Sequence, residues 1–296
     1  MLNDTILLIG YGSLLSGYGM LAHRRGGGSR LVAREAFPVS LGNARRGLAK
    51  PSSHGGYLAM DLEPVTCGEP ITGRVAGKGA GVGALGLVFD RQWAPRIARR
   101  EEYRPEKLGE LIALAESAGQ PLGAYLLDIA RRTAFDLLAY RCALREQLGY
   151  TSPGYIFHPV PLDDGRVAIV AIGSGYDGSG DPAVRSRRSE CGMDRLLSLG
   201  EALALDRLEI DRDGQIGYFV ECILGGVHGL GIADLAGRIH ADTRLRREVA
   251  YHAAAALDAE RERFEKATSL SLAHYRERFT CAIDPSLAVL LAGPGG

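Results

Sequence analysis

Cysteine is scarce in this 296-residue chain and follows no useful pattern. Cys67, Cys142, Cys191, Cys222 and Cys281 are odd in number, widely scattered and include no Cys-x-x-Cys pair, which argues against a disulfide framework and a zinc knuckle. Net charge is lacking too. Thirty-five basic residues balance 35 acidic ones, so no global field draws in nucleic acid or an anionic membrane, and a small molecule is the expected partner. The short basic clusters Arg24-Arg25, Arg45-Arg46 and Arg185-Ser-Arg-Arg188 read as solvated surface. No stretch approaches the roughly 20 apolar residues that a spanning helix needs, and Met1-Leu-Asn-Asp4 puts no basic region ahead of the first apolar run. A cytosolic protein is expected. The seven histidines form neither His-x-x-x-His nor His-Glu-x-x-His, so no metal site is expected.

What is present is ordinary globular composition, 46% hydrophobic and 24% charged, enough to bury a core against the entropy of ordering the chain. Thr5 to Ile9 reads as a buried strand closed by glycine. Further strands are expected at Arg30 to Ala33, Phe37 to Leu41, Tyr57 to Leu62, Ile71 to Val75 and Ala84 to Phe89, separated by Gly, Pro and Ser clusters. The first hundred residues are therefore mainly β, as a barrel or a strongly bent sheet. Gln92 to Arg100 has helical spacing. Leu108 to Gly149 supplies two or three amphipathic helices broken at Gly119-Gln-Pro121. Strands return at Ile156 to Pro159 and Val167 to Ile172, and the turn-rich Gly173 to Pro182 follows. Helix is expected at Met193 to Ala204, Gly217 to Leu224, Gly231 to Ala241 and Arg244 to Ala267. No internal repeat is evident.

The first strand runs into Gly10-Tyr-Gly-Ser-Leu-Leu-Ser-Gly-Tyr-Gly19. A strand ending in Gly-x-Gly gathers backbone N–H groups with no side chains in the way, a concave anion site. A dinucleotide fingerprint would need glycine where Leu15 stands, and the Gly-Lys-Ser/Thr of a phosphate loop is absent. A bland alternative is a glycine turn that lets a barrel close. Ser13 lacks the Gly-x-Ser-x-Gly setting of a nucleophile and reads as a binder.

Tyr11-Gly12-Ser13-Leu14, placed directly after a first strand, resembles the Tyr-Gly-Ser-Leu/Asn signature of the γ-glutamylcyclotransferase family. Gly55-Gly56-Tyr57-Leu58 and Gly73-Arg74-Val75 are similar to mid-domain strands of that family. Arg99-Arg-Glu-Glu-Tyr-Arg104 resembles its Arg-Glu-x-x-Tyr catalytic segment, with one residue fewer between Glu101 and Tyr103 than many relatives have. Tyr218 to Gly226 resembles a helix near the end of such domains. The likeness covers residues 5 to 104 and, loosely, 151 to 235.

The resemblance implies an α/β (α+β) fold with a small mixed barrel-like sheet over residues 1–240, a helical insertion at about 105–150 and a helical C-terminal extension at 241–296. It implies that Tyr11, Gly12, Ser13 and Leu14 bind a γ-glutamyl group and that a glutamate is the acid/base: Glu101, favoured because it follows the Arg-Arg pair, or Glu102. The expected reaction releases 5-oxoproline and a free amine. It needs no metal, nucleotide or other cofactor, since the substrate's own amine attacks. Rival readings are hydrolysis or acyl transfer on the same fold and a non-catalytic γ-glutamyl or anion-binding module. Apart from the resemblance, His54 and His228 read as exposed or core-satisfied histidines, with contact to a leaving group as the alternative. The loop with Tyr176, Asp177 and Ser179 reads equally as a substrate-facing or lid segment and as a surface turn. Arg185, Arg187 and Arg188 after it are candidates to meet a substrate carboxylate.

Overall fold

The computed structural model describes residues 3–15, 31–51, 56–75, 81–150, 152, 155–173, 195–205, 210–226, 247–248 and 251. Apolar runs with little alternation become the inner strands, because both of their faces are covered. The clearest case is β6 (Val82–Asp90), buried along most of its length. It lies between β1 (Thr5–Gly10) and β2 (Glu35–Gly42) in a six-stranded sheet ordered β5-β2-β6-β1-β8-β7. Here β5 is Thr72–Val75, β7 is Tyr155–Pro161 and β8 is Val167–Gly173. All neighbours are antiparallel except β1 and β8, which run parallel from Leu8–Ile169.

The sheet curls until its edges meet. Gly73 of β5 bridges Leu162 just past β7, the Asp163 amide donates to the Gly73 carbonyl at 3.0 Å, and the Val75 amide donates to the Asp163 carboxylate at 2.9 Å. Closure of this kind removes unpaired strand edges. The result is a mixed, curled sheet with flanking helices, an α/β architecture.

A separate hairpin, β3 (Ala44–Pro51) with β4 (Leu58–Pro64), lies beside this sheet. It is tied down by paired bonds between Leu48 and Leu197, at 2.8 and 2.9 Å, and by Asp61. The Asp61 carboxylate, fully buried, accepts from the amides of Gly173 at 2.6 Å and Leu62 at 2.7 Å.

Helices α1 (Ala94–Arg100), α2 (Pro105–Ser117), α3 (Leu122–Arg132) and α4 (Leu137–Leu148) fill the stretch after β6. Proline opens α2 at its first position, where no amide partner is lost. Asp136 caps α4 by accepting from the Ala139 amide. After β8 come α5 (Leu199–Leu203) and α6 (Arg212–Gly226). Helix α6 finishes β4: the Gln215 amide group serves both the N–H and the carbonyl of Leu58, at 2.7 and 3.2 Å, and the Tyr218 hydroxyl accepts from the Met60 amide at 2.9 Å.

Several sequence expectations change. Leu31 and Ala33 are buried but not in a strand, so apolar character there reports burial rather than pairing. Strand β3 escaped notice because Arg45, Arg46 and Lys50 hide its pattern. The helix expected from Met193 is confined, among the described residues, to Leu199–Leu203, since Leu197 is extended against Leu48 and Ser198 starts the helix with a capping box to Glu201. Helix α6 begins at Arg212, ahead of the expected Gly217. The helices expected at 231–241 and 244–267 fall mainly or wholly outside the described residues.

Candidate functional site

At the C-terminal end of β1 the chain doubles back through Tyr11 and Gly12 into a 3-10 turn at Ser13–Leu15, closed by the Leu15 amide on the Gly12 carbonyl at 2.8 Å. Gly10 is sterically required, and Gly12 is closely approached. A Cβ on Gly10 would lie 2.6 Å from the Leu14 Cβ, and one on Gly12 would lie 3.0 Å from the Met60 Cβ. The turn is held from three sides. The Tyr11 hydroxyl donates to the Ala171 carbonyl of β8 at 2.7 Å. Arg46, buried in β3, donates to the carbonyls of Tyr11 at 3.3 Å and Gly83 at 2.9 Å. Arg100 donates to Ser13 Oγ at 2.6 Å.

The turn forms one wall of a cleft lined also by Ile9, Met60, Glu101, Tyr155 and Tyr218. Of the two adjacent glutamates, Glu101 enters this lining and Glu102 does not. The reason lies in how α1 ends. Glu101 is the C-cap and Glu102 takes a left-handed backbone, φ 52°. The Glu102 amide returns to the Arg99 carbonyl at 3.3 Å and the Tyr103 amide to the Ala98 carbonyl at 2.8 Å, the paired bonds of a Schellman turn. This reversal sends the two carboxylates to different neighbours. Glu102 pairs with the buried Lys50 at 2.9 Å. Glu101 stays on the cleft side, its Oε1 3.7 Å from Arg100 Nε. Its carbonyl accepts from the Tyr155 amide at 3.4 Å.

Tyr155 links these parts. Its hydroxyl donates to the Met60 carbonyl at 2.6 Å, and Lys50 Nζ sits 4.2 Å from its ring centroid, a cation–π geometry. Burial, first, and then the nearby Tyr11, Asp61, Glu101 and Glu102 push its phenol well above the usual range. Tyr155 is therefore a neutral donor and part of the wall. Tyr218 stacks on Tyr57, ring centroids 4.5 Å apart, at the Met60 side.

The enclosed part of the cleft is small, about 40 Å³, roughly the volume of one water molecule. A larger cavity of about 410 Å³ lies at the opposite end of β1, beside Asn3, Leu122 and Val167. Its one titratable lining group is Arg166, which pairs with Asp164 at 2.6 Å. Of these two cavities, the smaller is the one lined by a carboxylate-bearing residue, Glu101.

The four loop residues and Glu101 come together in one place, while Glu102 is drawn away by Lys50. Arg45-Arg46, read from sequence as solvated, splits: Arg45 is on the surface with Glu63, and Arg46 is buried beneath the turn. Lys50, Asp61 and Tyr155 were not singled out from sequence, and β3, buried over Arg46–Lys50 without alternation, offered no signal for Lys50. Arg100 stood inside the recognised segment without a role. His54, Tyr176, Asp177, Ser179, Arg185, Arg187, Arg188 and His228 lie outside the described residues. Among the described residues no group of three or more His, Cys, Asp or Glu side chains converges as a metal site, and no helix is long and apolar enough to cross a membrane.

No protein-family model, curated protein or solved structure matches the chain.

Proposed function

We propose that this chain is a γ-glutamylcyclotransferase-like enzyme that releases 5-oxoproline and a free amine from a γ-glutamyl amine, peptide or metabolite, with Glu101 as acid/base. The observation that carries the reading is that the Tyr11–Leu14 turn and the Glu101 carboxylate line one cleft.

The chemistry asks little of the protein beyond these two elements. The substrate's α-amine attacks its own γ-carbonyl, forming the ring C–N bond as the γ-amide C–N bond breaks. Glu101 takes the proton released by the attacking nitrogen and hands it to the departing amine. Backbone N–H groups of the turn receive the substrate carboxylate, holding the molecule bent so that attack is intramolecular, a proximity effect worth several kcal/mol. Further N–H groups near the γ-carbonyl steady its developing negative charge. With so little enclosed volume, the γ-glutamyl group lies at the mouth of the cleft, Glu101 beneath it.

Incubating the purified chain with γ-glutamyl amines, dipeptides and amino-sugar or polyamine conjugates, and quantifying 5-oxoproline by mass spectrometry, tests the reading. Release of 5-oxoproline with one equivalent of amine is expected. Release of free glutamate instead would indicate hydrolysis, and tight binding without turnover would indicate a binding module.

A further inference from the structure

A carboxylate in the small cleft, Glu101, and a second one adjacent to it in sequence, Glu102, pose a physical problem. A γ-glutamyl substrate carries an anionic carboxylate of its own, and a general base must be held at one position to act on one nitrogen. We propose that Lys50 and Glu102 form a latch that fixes Glu101 in the cleft and neutralises the second carboxylate, making both positioning residues for catalysis. This inference rests on the cyclisation reading.

Three features support it. First, Glu102 occupies a left-handed backbone position, φ 52°, where glycine is the usual residue because side chains there are strained. The strain of a side chain at such a place is offset here by the ion pair that the Glu102 carboxylate makes with Lys50. Second, that side chain meets a lysine whose own side chain is only 4% exposed. A lysine so deeply buried needs a counter-charge. Third, the contact is continuous with the cleft. Lys50 touches Glu102 on one side and the Tyr155 ring on the other. Tyr155 lines the cleft and bonds the Glu101 carbonyl through its amide. Ser152 Oγ donates to the Glu102 carbonyl at 3.3 Å, holding the next peptide, Glu102–Tyr103. Two successive carbonyls, those of Glu101 and Glu102, are thus held, which fixes the backbone from which the Glu101 side chain enters the cleft.

The latch makes a prediction that simple structural support does not: the pairing of opposite charges matters, and their order does not. Lysine and glutamate exchanged across the same gap span the same total length. In the full-length chain, Lys50→Met and Glu102→Gln are each expected to lower kcat for 5-oxoproline release about tenfold or more. KM for the γ-glutamyl substrate should rise in Lys50→Met, which removes the cation paired with Glu102, and change less in Glu102→Gln. The exchanged double variant Lys50→Glu with Glu102→Lys should recover most of the lost kcat. Lys50→Arg, which keeps the charge, should be faster than Lys50→Met and serves if the exchanged variant does not fold. Either single variant turning over at the wild-type rate would overturn the latch. So would a folded exchanged variant as slow as the singles, or Lys50→Arg no better than Lys50→Met. If the wild-type chain itself releases no 5-oxoproline, the cyclisation reading fails and the inference falls with it. Failure of the variants alone leaves that reading standing.

Discussion

Helices α1 and α3 end in the same way and have opposite surroundings. In α1 the Glu102 amide returns to Arg99 and the Tyr103 amide to Ala98; in α3 the Ala134 amide returns to Arg131 at 3.0 Å and the Phe135 amide to Ala130 at 2.8 Å. Each turn forces a non-glycine residue into the left-handed region, Glu102 at φ 52° and Ala134 at φ 50°. Ala134 is exposed and carries only a methyl group, so no charge pairs there. Glu102 meets Lys50, and its neighbour Glu101 faces the Tyr11 turn. A backbone motif therefore says how a helix stops, whereas the chemistry at its end depends on what other strands bring to it. Here those are β3, with Lys50, and β7, with Tyr155.

The strongest way to break the comparison is to make the α1 end a copy of the α3 end. Glu101→Thr with Glu102→Ala, combined with Lys50→Met to avoid a buried unpaired charge, should keep the fold, as judged by circular dichroism. It should lower 5-oxoproline release at least about a hundredfold, the usual worth of a general acid/base. Thr133→Ala at the equivalent position of α3 should leave the rate unchanged.

Acid sharpens the comparison through β7, on which the α1 end leans. His158 of β7 is buried against Tyr140, its nitrogens without partners of hydrogen-bond geometry. Burial lowers its pKa from 6.5 to about 4, the Pro159 backbone opposing this in part. Above pH 6.5 the ring is neutral in folded and unfolded chains alike. As pH falls toward 4, the unfolded chain gains a proton that the folded one refuses, so stability drops, by about 3 kcal/mol in full. Urea unfolding at pH 7, 5.5 and 4.5 should reveal this fall, and His158→Phe should remove that part of it.

The smallest expected effect concerns strain alone. Ala134→Gly should raise stability by about 1 kcal/mol, the usual relief at a left-handed position, measurable as a higher urea midpoint. Glu102→Gly relieves the same strain but leaves Lys50 without its partner, so its net stability should not rise. A midpoint that rises equally in both would mean that the Lys50–Glu102 pair contributes nothing.

Much of this was legible in the sequence, for definite reasons. Strands β1, β2, β4, β5 and β6 and helices α2 to α4 follow from apolar periodicity and from Gly and Pro at their boundaries. The turn at Tyr11 was visible as Gly-x-Gly at the end of an apolar strand, and Gly10 answers to a neighbour only four residues on, Leu14. Less legible was anything decided by partners distant in sequence. Strand β3 looks basic and surface-like until β4 pairs with it and buries Arg46 and Lys50. The sequence favoured Glu101 because it follows the Arg-Arg pair; that Glu101 rather than Glu102 lines the cleft goes with a left-handed residue and a lysine about fifty positions away, and neither leaves a local mark. Asp61 is an ordinary acidic residue in sequence and becomes a fixed acceptor for Gly173 only once β4 meets β8.

The measurement that bears most directly on the central claim is the rate of 5-oxoproline release by Glu101→Gln set beside Glu102→Gln, on one active γ-glutamyl substrate and with thermal midpoints recorded for both. The account predicts that Glu101→Gln folds like the wild type and loses at least about a hundredfold in kcat, while Glu102→Gln keeps a reduced but measurable rate. A Glu101→Gln variant that turns over as fast as the wild type, or a Glu102→Gln variant that alone is dead, would contradict it.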